Sequence, residues 1–306
     1  MNKPDFFIVG APKCATSALY QYLKRHPDVF MSEPKELNFF ATDLTSPYFV
    51  KDKDYYLSLF NNANGYKRIG EASVWHLYSK IAAKNIYDLV PNAKIIAMVR
   101  NPVDMIYSYH GQRLFNGTED IDNFEKAIEA IPERKLGKRL PDDPYPIEGL
   151  FYLDIAKYSE QIRRYIDVFG KENIHVIIFD DFKSDSRSSY ASTLDFLGLG
   201  TEIPHELPND NITRNASKHY KNQFVKWIIT KPPKSLRIIG KMLMPNRKIR
   251  QNILRNIKIM NIKWQPRPKL NPELYLKLQK YYQPEVEELS QLLDRDLITL
   301  WKNVKN

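Results

Sequence analysis

Two short stretches of the chain carry polar residues whose types and spacing suit the binding of phosphate. In the first, the apolar run Phe6–Val9 meets Gly10, and Lys13, Thr16 and Ser17 follow at the start of an amphipathic helical pattern. Backbone N–H groups in such a loop and at the next helix N-terminus attract anions, and a lysine adds a mobile positive charge. A plain strand–turn–helix connection would explain the hydroxyl residues as helix caps but not Lys13. We therefore predict a phosphate-binding loop, although the Gly-Lys-Ser/Thr ending of nucleotide hydrolases is missing.

The second stretch begins at Arg100, directly after the apolar run Ile95–Val99, and continues into a helical pattern that carries Ser108. An arginine at the carboxyl end of a strand would lie at the same sheet edge as the first loop. Its planar fork suits a terminal phosphate, although Arg100 alone could equally be an ordinary surface arginine. Together the two stretches predict a nucleotide with phosphates at both ends.

The elements that must position these residues alternate between apolar strand-like runs and helical patterns. We predict strands over Phe6–Val9, Arg68–Gly70, Ile95–Val99 and Ile174–Phe179, and helices over Ser17–Arg25, Ser79–Leu89, Val103–Phe115, Leu153–Phe169 and Pro272–Val304. This order predicts an α/β fold with a central parallel sheet flanked by helices and a ligand site at the carboxyl ends of the strands. The polar loop Pro132–Pro146 is a candidate lid or acceptor-site loop.

The composition is that of a soluble globular chain. Of the 306 residues, 43% are apolar and 27% charged, and no apolar run approaches the roughly 18 residues of a membrane span. One cysteine cannot form an intrachain disulfide and fits a reducing compartment. The first predicted strand begins within a few residues of the N-terminus, without a secretory signal pattern. We therefore expect a cytoplasmic protein, with residues 1–306 forming a single domain.

Positive charge is concentrated in one part of the chain. The net charge is +10, and residues 211–272 contain 16 lysines and arginines but no aspartate or glutamate. We interpret about 211–268 as a basic helical insertion that attracts an anionic substrate or contacts an acidic membrane surface peripherally, at its inner face. A solvated basic surface without such a role would have the same composition. Nucleic acid is not an expected partner, since no recognised binding module is present.

Several of these stretches resemble the sulfotransferase superfamily, in particular its heparan-sulfate-type and bacterial branch. The resemblance lies in "IVGAPKCATSALYQYLKRHPDV", "PKELNFF" and "KIIAMVRNPVDMIYSY", and it continues through "YSEQIRRYIDVFGKENIHVIIFDDF" to the closing helical pattern. It covers the chain end to end, with residues 211–268 the least matched. It implies a three-layer P-loop-like fold and the donor 3′-phosphoadenosine 5′-phosphosulfate (PAPS), with no metal ion in the reaction.

The resemblance also implies roles for individual residues. Lys13 would contact the 5′-phosphosulfate and the leaving phosphate oxygen, while the loop amides, with Thr16 and Ser17, would hold the 5′-phosphate. Arg100 and Ser108 would hold the 3′-phosphate. Cys14 and Ala15 stand where the family more often has glycine-containing pairs, so the Cys14 thiol would lie beside the donor and be open to modification.

A base must take the proton of the acceptor, and the resemblance points to Glu36 within "EPKELNFF". Asn38 stands where the family commonly has His or Gln, and Glu36 could instead form an ion pair with Lys35 or Arg100. The other candidates were Glu33 in the same stretch and the histidines His76 and His110, although a lone histidine is more often structural. Weaker site candidates are Glu71, which could line the acceptor cleft or hold a loop, Tyr158, which could equally be a core residue, and Arg214, Ser217, Lys218 and Lys269.

The sequence therefore predicts a PAPS-dependent sulfotransferase that acts on a hydroxyl or amine. The expected acceptor is a carbohydrate, polysaccharide or glycolipid, including already anionic ones. One alternative is a P-loop nucleotide kinase or triphosphatase, weakened by the missing loop ending and by the lack of a clear magnesium-binding strand end other than "VIIFDDF". Another is non-catalytic: a nucleotide-dependent binding protein or a membrane-surface protein that uses residues 211–272.

Overall fold

The computed structural model describes residues 2–200, 216–222 and 260–302, with the single residues 225, 228, 253, 256 and 257 between them. For residues 216–218 it describes the backbone alone. Most of the predicted basic insertion, including Arg214, lies outside the described residues. That insertion and the single-domain assignment of residues 1–306 stay predictions.

A five-stranded parallel sheet forms the centre of the fold. Its strands are β1 (Phe6–Gly10), β2 (Val29–Met31), β3 (Arg68–Ala72), β4 (Lys94–Val99) and β5 (Ile174–Ile178), in the order β2-β3-β1-β4-β5. β1 and β4 lie inside the sheet and are almost entirely buried, which is why they read as continuous apolar runs. The predicted parallel sheet is confirmed; β2 was missed because three residues are too few to show a pattern.

Helices flank this sheet, and the predicted α/β class is confirmed. They are α1 (Thr16–Lys24), α2 (Lys53–Ser58), α3 (Trp75–Tyr78), α4 (Ala82–Leu89), α5 (Pro102–Asn116), α6 (Phe124–Glu129), α7 (Ile131–Lys135), α8 (Tyr152–Ile155), α9 (Tyr158–Phe169), α10 (Phe179–Ser184), α11 (Ser186–Phe196), α12 (Pro272–Leu293) and α13 (Leu297–Lys302). Short 3₁₀ turns cover Ile147–Leu150 and Lys171–Asn173. Among the described residues, no helix is both long enough and apolar enough to cross a bilayer.

Three predicted helices have different bounds in the structure. The predicted helix Ser79–Leu89 begins only at Ala82, because the Ser79 hydroxyl accepts hydrogen bonds from the N–H groups of Ile81 and Ala82 and ends the preceding turn. The pattern over Leu153–Phe169 is divided between α8 and α9. The closing pattern stops at Leu293, since Asp294 adopts a left-handed conformation with φ of 51°, and α13 follows as a separate helix.

The ends of the predicted basic insertion form strands, not helices. β6 (Ala216–Tyr220) and β7 (Ile262–Pro266) pair antiparallel. Tyr220 stacks on Phe115 of α5 with 4.6 Å between ring centroids, which attaches this pair to the main body. The chain then returns along α5 through residues 267–271, where the Tyr107 hydroxyl donates a hydrogen bond of 2.9 Å to the carbonyl of Pro268.

Candidate active site

The carboxyl ends of the parallel strands open onto one cleft with a volume of about 1280 Å³. At least one residue after each of the five strands lines this cleft. These residues include Lys13 after β1, Lys35 and Glu36 after β2, Val74 after β3, Arg100 after β4 and Phe179 after β5. This is the edge at which parallel α/β sheets bind ligands.

The loop between β1 and α1 has the backbone of an anion-binding turn. Lys13 and Ala15 are both left-handed, with φ of 63° and 68°, conformations that non-glycine residues rarely adopt and that cluster at functional sites. In the described part of the chain no side chain caps α1, and its first turn carries no acidic residue. The helix N-terminus is therefore available to an anion. The residue at position 10, where the loop begins, has to be glycine, because a Cβ there would lie 2.6 Å from the Cβ of Leu77.

Side chains around this loop add positive charge. The Lys13 ammonium donates to Oε1 of Gln112 on α5 at 3.3 Å. Lys35, which follows β2, lies 3.5 Å from the buried hydroxyl of Thr16. Ser17 also lines the cleft. The sequence suggests Lys35 only as a partner of Glu36, because it gives no sign that residues 34–36 pass beside the first loop.

Cys14 takes a different place from the one expected. Its thiol is completely buried, donates to the Pro12 carbonyl at 3.4 Å and is not among the residues lining the cleft. Burial raises the pKa of the thiol to about 12. The expectation of a modifiable thiol beside the donor is therefore not met, and a contribution of Cys14 to ligand binding would come from its backbone N–H.

Arg100 lines the same cleft. It is largely buried, with its guanidinium 4.5 Å from the centroid of the Phe179 ring and 3.4 Å from a carboxylate oxygen of Asp104. Its Nε atom is buried and has no hydrogen-bond partner among the described residues. Ser108, two turns along α5, is buried and lines the cleft as predicted. A buried guanidinium with an unused donor suits an anionic ligand.

A second arginine, missed in the sequence, lies near Arg100. Burial, with the neighbouring positive charge of Arg100, lowers the pKa of Arg267. Its guanidinium lies 5.9 Å from the ring centroid of Tyr107. Both arginines line the cleft, and Asp104 supplies a single negative charge beside them, so a further anion would be favoured there. Arg267 lies near the end of the least matched part of the sequence, residues 211–268, and 167 residues after Arg100, so no local pattern could connect the two.

The four weaker candidates between residues 214 and 269 have different outcomes. Lys269, two residues after Arg267, lines the cleft. Arg214 and the side chains of Ser217 and Lys218 lie outside the described residues.

Glu36 faces the cleft from a constrained backbone. Its φ is 68°, its side chain is about one-third exposed, and its Oε2 atom accepts a hydrogen bond of 2.9 Å from the N–H of Val74. The carboxylate also contacts the ammonium of Lys35, so one of the two ion pairs considered from the sequence is present. The carboxylate of Asp104, not that of Glu36, lies against Arg100. Glu36 thus combines access to the cleft with partners that hold its orientation.

The other candidate bases are less suitably placed. Glu33 is 66% exposed, pairs with Lys24 and does not line the cleft. His76 and His110 are buried, and burial lowers the pKa of each, to about 3 for His76. His110 contacts the carbonyl of Ile121 at 2.8 Å.

Glu71 and Tyr158 are fully buried and are also absent from the cleft lining. Tyr158 lies beside Cys14, under the first loop.

Comparison with known proteins identifies the family to which the chain is similar. A family model described as a sulfotransferase domain matches residues 3–292. The chain is 27% identical over 206 residues to human bifunctional heparan sulfate N-deacetylase/N-sulfotransferase 2, covering 64% of this chain and 22% of that protein. It is 26% identical over 286 residues to human carbohydrate sulfotransferase 15, covering 74% and 50%. The membrane-associated sulfotransferase kil1 of Dictyostelium discoideum is 31% identical over 268 residues, covering 64% and 56%.

The chain therefore spans between about a fifth and just over half of the length of these relatives. The crystal structure of a sulfotransferase from Alicyclobacillus acidocaldarius is similar over 99% of this chain and 100% of that one, with 26% identity and a TM-score of 0.72. These matches favour the sulfotransferase interpretation over the nucleotide-kinase alternative. Since the family model spans nearly the whole sequence, the chain belongs to the sulfotransferase family.

Proposed function

We propose that the chain transfers a sulfuryl group from PAPS to a hydroxyl or amine of a carbohydrate acceptor. The observation that carries this proposal is the composition of the cleft: a loop with Lys13 whose backbone suits an anion, the largely buried guanidinium of Arg100, and the accessible carboxylate of Glu36. Membership of the sulfotransferase family supports the same reaction.

The residues present fit a donor with phosphates at two positions. The loop amides, the uncapped N-terminus of α1, Thr16 and Ser17 would hold the 5′-phosphate, with the Cys14 and Ala15 N–H groups among the donors. Arg100 and Ser108 would hold the 3′-phosphate, since the buried Nε of Arg100 has no protein partner among the described residues. We add Arg267 to this group, because an anion would relieve its repulsion with Arg100.

The chemistry requires a base and neutralisation of the leaving group. When bound, PAPS supplies the sulfuryl group, which leaves the 5′-phosphate oxygen as the acceptor oxygen or nitrogen bonds to sulfur. Glu36 would take the proton of the acceptor, with its second oxygen oriented by the Val74 N–H. Lys13, and Lys35 beside Thr16, would neutralise charge that develops on the phosphate oxygen.

The cleft supports a carbohydrate as the acceptor. Its volume of about 1280 Å³ exceeds the roughly 300–1,000 Å³ of a pocket for one small ligand. Aromatic rings of Tyr48, Trp75 and Tyr145 line it and offer apolar faces to a sugar, and Tyr48 and Tyr145 lie edge to face with 5.5 Å between centroids. Two of the relatives are named for heparan sulfate and carbohydrate.

Sulfur-labelled PAPS and a panel of glycans and glycolipids would test the proposal. The panel would include N-deacetylated and already sulfated polysaccharides, and the assays would contain a metal chelator. Label on an acceptor in the presence of chelator is the expected result. Phosphate transfer from ATP that needs magnesium, without sulfuryl transfer, would overturn the proposal.

The place of action is a separate proposal. We propose a cytoplasmic protein on the basis of its single cysteine, and peripheral membrane contact through the basic segment at 211–268. Co-sedimentation with anionic vesicles that exceeds co-sedimentation with neutral ones is the expected result for the second part. Equal binding to both would contradict it.

A further inference from the structure

The segment that carries Glu36 is docked on the turn between β3 and α3. Five contacts join residues 36–40 to residues 72–76: Glu36 N–H to Ala72 O at 2.9 Å, Asn38 N–H to Ser73 Oγ at 2.8 Å, Val74 N–H to Glu36 Oε2 at 2.9 Å, Trp75 N–H to Asn38 Oδ1 at 3.4 Å and Phe40 N–H to His76 Nε2 at 3.4 Å. The turn therefore acts as a template for the backbone around Glu36.

That backbone needs to be held. Glu36 and Asn38 both have positive φ, 68° and 50°, conformations that cost free energy in a non-glycine residue and persist only where the surroundings fix them. Without its template the segment would relax toward ordinary dihedral angles. The Glu36 carboxylate would then leave its orientation in the cleft.

One buried carboxyl group lies beneath two of these template contacts. The hydroxyl of Ser73 contacts Oε1 of Glu71. Nδ1 of His76 and Oε2 of Glu71 face each other at 3.5 Å, and neither atom has another hydrogen-bond partner among the described residues. All three side chains are completely buried. Because the Phe40 N–H donates to Nε2, the proton of the neutral imidazole must be on Nδ1, the nitrogen that faces Glu71.

The protonation of Glu71 fits this arrangement. Burial, opposed by the contact with Ser73 and reinforced by the charge of Glu36, raises the pKa of Glu71 to about 8. At neutral pH a protonated carboxyl would donate from Oε1 to the Ser73 hydroxyl, which leaves Oε2 as an acceptor facing Nδ1 of His76 at 3.5 Å. A glutamine at position 71 could make the same two interactions with its amide N–H and carbonyl.

We infer that Glu71 is a positioning residue: through Ser73 and His76 it fixes the 36–40 segment and hence the direction in which Glu36 faces the cleft. Glu71 does not line the cleft, so its effect on the reaction is exerted through Glu36. The inference rests on the proposed function, in which Glu36 is the base.

Kinetics of four variants test the inference. Glu71→Gln keeps both interactions and should retain kcat within about threefold of wild type. Glu71→Met removes both and should lower kcat about 100-fold, since small misplacement of a reacting group costs about this much. Ser73→Ala removes one link and should lower kcat about tenfold. The matched control is Ser159→Ala, which removes another buried serine hydroxyl in contact with a glutamate; it donates to Glu285 at 2.9 Å.

Binding of 3′-phosphoadenosine 5′-phosphate, the desulfated donor, should be unchanged in all four variants, which separates positioning from general loss of structure. A loss of kcat in Glu71→Gln as large as in Glu36→Gln would overturn the inference, because Glu71 would then act as a proton carrier. Equal kcat for Ser73→Ala and Ser159→Ala would also overturn it. Ser73→Ala decides the question if Glu71→Met does not fold.

A measurement without turnover distinguishes failure of this inference from failure of the proposed function. Nitrogen NMR of the histidine side chains should give His76 as the Nδ1–H tautomer in wild type and in Glu71→Gln. The Nε2–H tautomer would overturn the inference, since Phe40 could no longer donate to that nitrogen. If wild type transfers no sulfuryl group to any acceptor, the proposed function fails, while the tautomer still decides whether Glu71 holds the segment.

Discussion

Glu36 is the residue on which the proposed chemistry depends most directly, because it is the carboxylate that both lines the cleft and is oriented by a backbone N–H. Glu36→Gln keeps the size and the contact with Val74 but cannot take a proton. We expect kcat to fall by about 10²–10⁴-fold, the range of general-base contributions. Initial rates at saturating donor, with donor affinity measured separately, would check this.

Glu33→Gln is the control for that prediction. Glu33 lies in the same stretch, is 66% exposed and pairs only with the exposed Lys24 among the contacts described. Its replacement should leave kcat within about twofold, since exposed ion pairs contribute little. A Glu36→Gln enzyme with wild-type kcat would remove Glu36 from the role of base.

The Cys14 thiol should be inert in the folded protein. Burial raises its pKa to about 12, and the thiolate is the reactive form. We expect no reaction with an aromatic disulfide reagent in buffer near neutral pH and release of one equivalent after unfolding in denaturant. Rapid labelling of the native protein would mean that the first loop opens.

At the residue scale the sequence identifies the charged and hydroxyl groups but not their partners. Lys13, Thr16, Ser17, Arg100 and Ser108 all line one cleft, as the loop-after-strand argument predicted. Whether each binds the donor stays a prediction. Lys35 and Arg267 were not predicted to line the cleft, because their positions depend on how distant segments pass one another, and no local spacing encodes this.

Among the elements, the stretch from α6 to α8 depends on a buried ion pair. Arg134 of α7 donates to both carboxylate oxygens of Glu119 at 2.6 and 2.7 Å, and the Tyr152 hydroxyl donates to the same carboxylate. Burial opposes ionisation of Glu119, but these hydrogen bonds hold its pKa at about 2. Glu119 is therefore ionised and needs its partner.

Arg134→Met should lower the free energy of unfolding by about 3–5 kcal/mol, because it leaves a buried carboxylate without its cation. The double variant Arg134→Met/Glu119→Gln should lose less. Arg163→Met, which breaks the exposed pair with Glu288, is the control and should cost under about 1 kcal/mol. Urea unfolding would give all three values, and a double variant no more stable than the single one would contradict the argument.

The contact between β3 and the 36–40 segment predicts a pH effect. The pKa of Glu71 is about 8 in the folded protein, above its ordinary 4.5, so the folded chain holds this proton more tightly than the unfolded chain. The resulting stability is fully present below pH 4.5 and is lost as pH rises through about 8.

Wild type should therefore become less stable relative to Glu71→Gln between about pH 5 and about pH 8, with a limiting slope of about 1.4 kcal/mol per pH unit. Urea unfolding of both proteins at several pH values measures this difference. Because glutamine does not titrate, the variant removes only this proton from the comparison. A difference that does not change with pH would show that Glu71 is ionised throughout.

Element types were more accessible from the sequence than element boundaries. Buried parallel strands such as β4 are visible in the sequence as apolar runs. The start of α5 is also predictable, because the Asn101 side chain caps the helix and the Pro102 ring favours the first helical position. The three-residue β2 and the break at Asp294 give no such signal, because a neighbouring strand stabilises the first and a single backbone conformation causes the second.

The polar loop Pro132–Pro146 was predicted as a lid or acceptor-site loop, and the structure shows how its two ends are held. Its first residues belong to α7, and Arg113 donates to the carbonyls of Tyr145 and Pro146 at 3.4 Å, so both ends are held. Between them Leu136 is 74% exposed. Closure of this loop over an acceptor stays a prediction.

The molecule as a whole presents one cleft at the edge of a parallel sheet, lined by Lys13 of the first loop and by Arg100. A net charge of +10 would favour any anionic ligand and would not select among them. Selection of the proposed donor would have to come from the first loop and from Arg100 with its neighbours. The prediction that follows is recognition of both phosphates.

Calorimetric binding of 3′-phosphoadenosine 5′-phosphate, beside ATP, ADP and AMP and without metal, tests that claim most directly. Wild type should bind the bisphosphate far more tightly than AMP, and Arg100→Ala should lose about 100-fold, as expected for two charge-assisted hydrogen bonds. Arg163→Met, an exposed arginine on α9, should bind as wild type does. Preference for ATP with magnesium, or Arg100→Ala binding as tightly as wild type, would contradict the account.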